Sequence, residues 1–415
     1  MRRYLGILIP LLLLTLGTSA QGPVKCRIPD YSFTHFDRNQ LIYPGDSISM
    51  EQFFEKLDTL LFTGQGKINI LHIGGSHVQA GVFSQQMRDN LLNLSPGITS
   101  GRGLVFPFMK TNTPASYSIS YTGEWNYCRN AVAFDTRLGL AGASVTTCDT
   151  AASFSIVTRE KKPRDITPVF DFNLVKVLGY GDNSKIVPVV HFNDEVLPGV
   201  YDEHEGSFTF QLPDYTDSLY VDFNHAEGTF TVTGVYLDNG MPGITYHGIG
   251  VNGARVDSYL SCEDLRRDME LVKPDLVIFG IGINDAAADS FTKDKFKRDY
   301  DQLIDIIHEV SPDCAMIFVT NNDSYKRLKK NKYQVNTNGL LAQEAFLELG
   351  KKHNAAVWDF FDIMGGLTSM QNWQDENIAQ KDKVHFTNTG YALIGDLLFN
   401  ALMDKYTAHL KKYKP

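Results

Sequence analysis

The sequence predicts an α/β protein whose parallel sheet is interrupted by an antiparallel β-sandwich. Three observations lead there. From about residue 47 to 94, and again from residue 243 to the end, short apolar strands alternate with stretches of helical period, as in a parallel sheet covered by helices. Between them, from about 110 to 240, the texture changes to alternating β-branched and aromatic residues broken by Asp-Asn, Pro and Gly turns. The length of 415 residues also exceeds one compact core of common size.

Taken in order, "MRRYLGILIPLLLLTLGTSAQG" has two arginines, an apolar run from Leu5 to Leu16 and then small residues, the layout of a secretory signal cleaved after Ala20. The apolar run is shorter than the roughly twenty residues a spanning helix needs. The expected organisation is a signal peptide over 1–20, a first α/β segment over 21–109, an inserted sandwich over 110–242 and a second α/β segment over 243–415. Strands are expected at "INILHIG", "GITYHGIG", "DLVIFGIG", "AMIFVT" and "AAVWDF", with helices near 79–94, 256–272, 292–310, 337–353 and 387–410. In the last helix Thr387 or Asn388 serves as N-cap. Insert strands are expected in "SFSIVTRE", "SFTFQLPDYTDSLYVDF" and "GTFTVTGVYLDNG".

Acidic residues outnumber basic ones, 48 to 39, which argues against nucleic acid or anionic lipid as partner. No later segment is apolar enough to span a bilayer, so the expected location is exported, periplasmic or secreted. Five cysteines are too few for a disulfide scaffold; Cys128 and Cys148 either pair within the insert or remain thiols.

In an open α/β sheet the ligand lies beyond the carboxyl ends of the strands. After "INILHI" come Gly74, Gly75, Ser76 and His77; after "GITYHGIG" comes "VNGA", residues 251–254; after "DLVIFG" comes Gly282-Ile283-Asn284-Asp285. Asp382 and His385 stand three apart before the last helix. Acyl transfer to serine needs a nucleophile, a base, a group that orients the base and donors for the oxyanion. Ser76, His385 and Asp382 supply the first three. The backbone N–H of Ser76, the backbone N–H of Gly253 and the side-chain amide of Asn284 supply the donors.

The order Ser, Gly, Asn, Asp/His resembles the SGNH (GDSL-type) hydrolase superfamily. "GGSH", "VNGA", "GIND" and "DKVH" look like its blocks one, two, three and five. The resemblance implies a flavodoxin-like three-layer α/β/α domain, with the roles just given and neither metal nor cofactor. Histidine after the serine, "VQAG" beyond it and a β-domain between blocks one and two are similar to exported peptidoglycan O-acetylesterases, whose insert looks like a carbohydrate-binding sandwich. One departure is Gly75, where the family usually has Asp. The implied function is an exported esterase removing O-acetyl groups from a polysaccharide through an acyl-serine. An O-acetyltransferase with the same triad, a glycan-binding protein with an inactive hydrolase domain and a lipid esterase are the rival readings.

His77 is a candidate to touch the leaving sugar or to buttress the loop, and Trp125, with Tyr117, Tyr121 and Tyr127, to stack on sugar or fill the sandwich core. His72 and His247, inside apolar strands, read as hydrogen-bonded core residues rather than ligands. Asp285 reads as part of a turn or a helix cap. "GIGVNG" has the wrong spacing for a dinucleotide fingerprint.

Overall fold

The computed structural model describes residues 23–99, 101–108, 116–132, 134–158, 170–182, 187–223 and 228–412; the expected signal segment lies outside them. The central sheet contains β1 (Leu41–Ile42), β2 (Lys67–Gly74), β3 (Gly243–Gly250), β4 (Leu276–Gly280), β5 (Ala315–Val319) and β6 (Ala356–Trp358). In space the order is β1-β6-β5-β4-β2-β3, parallel throughout except for β1 at its edge. The five parallel strands therefore follow the flavodoxin-like order 2-1-3-4-5, whose switch point lies between β2 and β4.

Helices cover both faces, which is why β2 and β4 read as nearly unbroken apolar runs. Ile68, Ile70 and Ile278 face one layer, built from α1 (Ile48–Thr63), α2 (Ser76–Gln79), α3 (Val82–Leu92) and, at the chain's end, Asn388–Lys412. Leu71, Ile73, Val277 and Phe279 face the other, built from α4 (Lys293–Val310), α5 (Asn338–Lys352) and the shorter helices Val256–Leu260 and Leu265–Val272. The final helix, Asn388–Lys412, is α6. Thr292 caps α4 by accepting from the Lys295 N–H.

Two expected helices are each broken into two. The stretch 79–94 divides because Gly81 adopts φ +80, a left-handed conformation that ends α2 and restarts the chain as α3. The stretch 256–272 divides around Ser261–Asp264, where the Asp264 N–H donates to Leu138 O of the insert instead of continuing the helix.

The crossover from β2 to β3 carries the whole insert. Its two antiparallel sheets enclose a core of Phe154, Ile156 and Val221 on one side and Val175, Val177, Phe210 and Val232 on the other. The strand Gly103–Val105 already pairs with the insert strand Phe230–Asp238, so the crossover begins before residue 110. The insert is packed firmly on the α/β layer. Leu104 N–H donates to His247 Nδ1 at 2.9 Å, and Leu140 N–H to Asp268 Oδ2 at 3.0 Å. At Gly139 a Cβ would lie 1.7 Å from Asp268 Oδ2, so only glycine permits this approach.

Cys128 and Cys148 are both free thiols. Cys128 sits opposite Ser144 in its strand pair, whereas Cys148 lies beyond the far end of the strand Ala143–Thr147, so the register holds them apart. His72 and His247 are fully buried, each with one ring nitrogen hydrogen-bonded, and burial pushes both down to about 3.

Candidate active site

β2 ends in a turn that only small residues allow. A Cβ on Gly74 would lie 2.3 Å from Val78 Cγ2 and 2.8 Å from Gly280 O, so glycine lets α2 fold back against the strand. Tyr259 Oη donates to Gly74 O at 2.8 Å and fixes the strand end. Ser76 thereby becomes the first residue of α2, at the sheet rim, with its N–H outside the intrahelical ladder.

Three distant segments meet there. His385 Nε2 lies 2.8 Å from Ser76 Oγ, and His385 Nδ1 lies 2.7 Å from Asp382 Oδ2. Asp382 Oδ1 accepts the backbone N–H groups of Val384 and His385, each at 3.0 Å, closing a tight turn around Lys383, whose φ is +59. Partial burial of Asp382 works to raise its pKa. The hydrogen bonds from the His385 ring and from the two backbone amides outweigh it and hold the carboxyl at about 2. The side chains of His385 and Asp382 are 32% and 46% exposed, so the relay opens to solvent. A carboxylate on Nδ1 fixes the tautomer that leaves Nε2 ready for the serine proton.

The two segments expected to carry the other oxyanion donors lie close against the same turn, with Ala254 O 3.6 Å from where a Cβ on Gly75 would stand. Gly253, at φ +86, occupies the turn closed by Ala254 N–H to Val251 O at 3.0 Å. Asn284 Nδ2 donates one hydrogen to Ala254 O at 2.9 Å, which aims the amide and leaves its second hydrogen for a ligand. The same nitrogen would lie 3.2 Å from a Cβ on Gly75, so the amide is close against the nucleophile turn. Asp285 is buried in the first turn of the helix Ile283–Ala287 and receives the Val256 N–H at 3.4 Å, tying blocks two and three together. Burial lifts its carboxyl to about 7.

His77 takes the buttressing position rather than a sugar-facing one. Its ring lies against His385, with centroids 5.3 Å apart, and its Nδ1 lies 2.8 Å from Tyr391 Oη. The Phe386 backbone amide lies against the same phenol oxygen. His77 Nε2 is buried beside the Asn322 side chain. Asn322 Nδ2 in turn donates to Val384 O at 3.0 Å. His77, Tyr391 and Asn322 thus brace the chain on both sides of His385. Burial, with the neighbouring His385 adding to it, pushes His77 down to about 3 and keeps it neutral. Sequence reasoning missed Tyr391 and Asn322; the signal for Asn322 was "TNND", the residues after β5, a strand end as eligible as the others.

Trp125 corrects an expectation. It is 6% exposed, packs edge-on against Tyr121, Phe154 and Phe223, and donates its indole N–H to Thr122 O at 2.8 Å. A large ring with one polar handle satisfied internally belongs to the sandwich core, not to a sugar platform. Tyr117 and Tyr121 are likewise held, through Phe106 and Pro107 carbonyls. Among the described residues no three His, Cys, Asp or Glu side chains gather as a metal cage, and no helix is long and apolar enough to cross a membrane.

A 2-1-3-4-5 sheet with a serine turn after its first strand and an Asp-x-x-His pair before its last helix defines a serine acylhydrolase of the GDSL (SGNH) type. Residues 216–393 match the GDSL-like Lipase/Acylhydrolase family. Gly253, Asn284, Asp382 and His385 lie inside the match, and Ser76 outside it. A solved peptidoglycan O-acetylesterase is 19% identical, with 89% of this chain and 99% of that chain covered at a TM-score of 0.72, so the fold is shared with the insert included. The acetyl xylan esterase AlAXEase is 21% identical over 38% of this chain and 81% of its own, with a TM-score of 0.31. A lipase/acylhydrolase from Enterococcus faecalis is 23% identical over 39% and 77%, with a TM-score of 0.30; at such scores the likeness carries nothing further. No curated protein matches the chain in sequence.

Proposed function

We propose that the protein is an exported esterase that releases acetate from an O-acetylated polysaccharide through an acyl-serine intermediate. The observation that carries this reading is the run Ser76 Oγ, His385 Nε2, His385 Nδ1, Asp382 Oδ2, with both contacts at hydrogen-bond length. His385 takes the Ser76 proton as Oγ attacks the acetyl carbon. The negative charge on the carbonyl oxygen is met by the N–H groups of Ser76 and Gly253 and by the Asn284 amide. His385 then returns the proton to the sugar oxygen as the C–O bond breaks. A water attacks the acetyl-serine by the same route, giving acetate and free Ser76. The partly exposed His385 and Asp382 side chains leave the relay accessible to water. Export rests on the N-terminal segment, and a glycan substrate on the sandwich packed beside the site.

The test is acetate release from a small aryl acetate and from O-acetylated peptidoglycan and xylan. Ser76→Ala and His385→Ala should each abolish it; turnover retained in both variants overturns the triad. Adding a sugar acceptor and analysing products separates hydrolysis from transfer, since the two share the acyl-serine.

A further inference from the structure

Immediately after β5, at the carboxyl edge where the serine turn lies, the chain forms a hairpin from strands Tyr325–Arg327 and Tyr333–Val335, closed by Leu328 N–H to Lys332 O at 2.7 Å. Its sequence from 326 to 332, "KRLKKNK", is rich in positive charge and has no acid. The acidic average of the whole chain conceals this concentration. The hairpin is fastened to the catalytic loop itself. Tyr325 N–H donates to Lys383 O at 3.1 Å, and the Lys383 ammonium lies over the rings of Tyr325 and Tyr333, at 4.7 and 5.4 Å. Lys383 stands between Asp382 and Val384, so the hairpin and His385 share one anchoring segment.

On this arm Lys326 is paired with Asp289 at 2.8 Å, whereas the three lysines nearer its tip are not. Elsewhere Lys56, Lys67, Lys176, Lys295 and Lys352 are held by carboxylates at ion-pair distance. Lys329, Lys330 and Lys332 are exposed and, among the described residues, have no such partner; nor has exposed Lys381, next to Asp382. Unpaired ammonium groups along one rim attract an anionic chain and repel a cationic one, and they act over about a Debye length, ~8 Å at physiological salt.

We propose that the hairpin 325–335 is a recognition arm for an acidic glycan, its lysines meeting carboxylates of the chain while an acetyl ester of the same chain lies at Ser76. This rests on the esterase reading and deepens it by assigning the substrate a negative charge. The probes are O-acetylated polygalacturonate, which bears carboxylates, and neutral O-acetylated mannan. In the full-length protein, K329E/K330E/K332E should leave aryl acetate turnover and melting temperature unchanged. KM for the galacturonate should rise on the order of tenfold, and that for the mannan should stay as it was. Wild-type KM for the galacturonate should rise with salt, and the variant's should not. The neutral K329Q/K330Q/K332Q variant should fall between. Equal KM changes on both glycans, or none on either, overturn the proposal. Retardation of the protein in gels containing unacetylated polygalacturonate reads binding without chemistry, so a failure of the esterase reading leaves this arm of the test intact. Equal retardation by duplex DNA would show an unselective polyanion patch and overturn the assignment to a glycan.

Discussion

Nδ1 of His77 lies 2.8 Å from Oη of Tyr391, and this bond ties the residue beside the nucleophile to the helix that follows the base. Because His77 also lies against the His385 ring, the pair sets the separation between Ser76 and His385. Tyr391→Phe keeps the packing and removes the hydroxyl. We expect kcat on aryl acetate to fall about tenfold, some 1.4 kcal/mol, with KM nearly unchanged. Steady-state kinetics checks this, and an unaltered kcat would remove the bond from any positioning role.

Asn284 presents its amide with one hydrogen already committed to Ala254 O. Loss of an aimed oxyanion donor costs about 3 kcal/mol, so Asn284→Ala should lower kcat by about two orders of magnitude with a small change in KM. A rate within twofold of wild type, about 0.4 kcal/mol, would show that the charge is met elsewhere.

Gly75 has φ −100, which any residue adopts, so its side-chain-free state matters for space. With the added Cβ only 3.2 Å from Asn284 Nδ2, Gly75→Ala should displace the amide by a few tenths of an ångström. We expect kcat to fall several-fold while the melting temperature changes little, because the crowding is confined to one amide. Parallel measurement of kcat and thermal melting checks the split; full activity would show that the amide has room to yield.

Trp125, buried among Tyr121, Phe154 and Phe223, should behave as a core residue. Trp125→Ala should cost about 3–5 kcal/mol of stability by denaturant unfolding. A variant that keeps its stability and loses only affinity for glycan would return Trp125 to the substrate surface.

Acid stability follows from burial. His72, His77 and His247 are each pushed down to about 3 in the fold, so the unfolded chain takes up their protons first as pH drops below 6.5. Their contribution is whole above that pH and declines toward 3, by about 1.4 kcal/mol per group per pH unit. Asp268 and Asp285, lifted by burial to about 6 and 7, act in the opposite direction: the fold holds their protons, and that stability is lost as pH rises through those values. The two groups of residues therefore pull the stability in opposite directions between about pH 4 and 6. Asp285→Asn removes one opposing group and should steepen the acid loss between pH 7 and 5. Parallel unfolding curves for the two proteins would contradict it.

Much of this was legible because the signals were local. Continuous apolar runs such as "INILHI" and "DLVIFG" identify strands buried on both faces, and the glycines and hydroxyl after the first mark a turn at a strand tip. Asp382 and His385 share one tight turn, so their spacing alone brings them together. The helix breaks at Gly81 and near Cys262, the two free thiols and the placing of Trp125 were not legible in the same way. Leu138 O takes the Asp264 amide from another domain, and cross-strand register separates the thiols.

By itself the sequence determined the alternating α/β texture, the interrupting sandwich and which side chains were chemically able to attack an acyl carbon, because periodicity and residue type are properties of the chain within a few residues. Only the tertiary structure decided that Ser76 and His385, 309 positions apart, stand 2.8 Å from one another, that His77 turns inward to brace the base, and that a lysine-bearing hairpin rises beside them. Those are contacts across the sheet's carboxyl edge, set by strand order and side-chain packing, which no local pattern encodes.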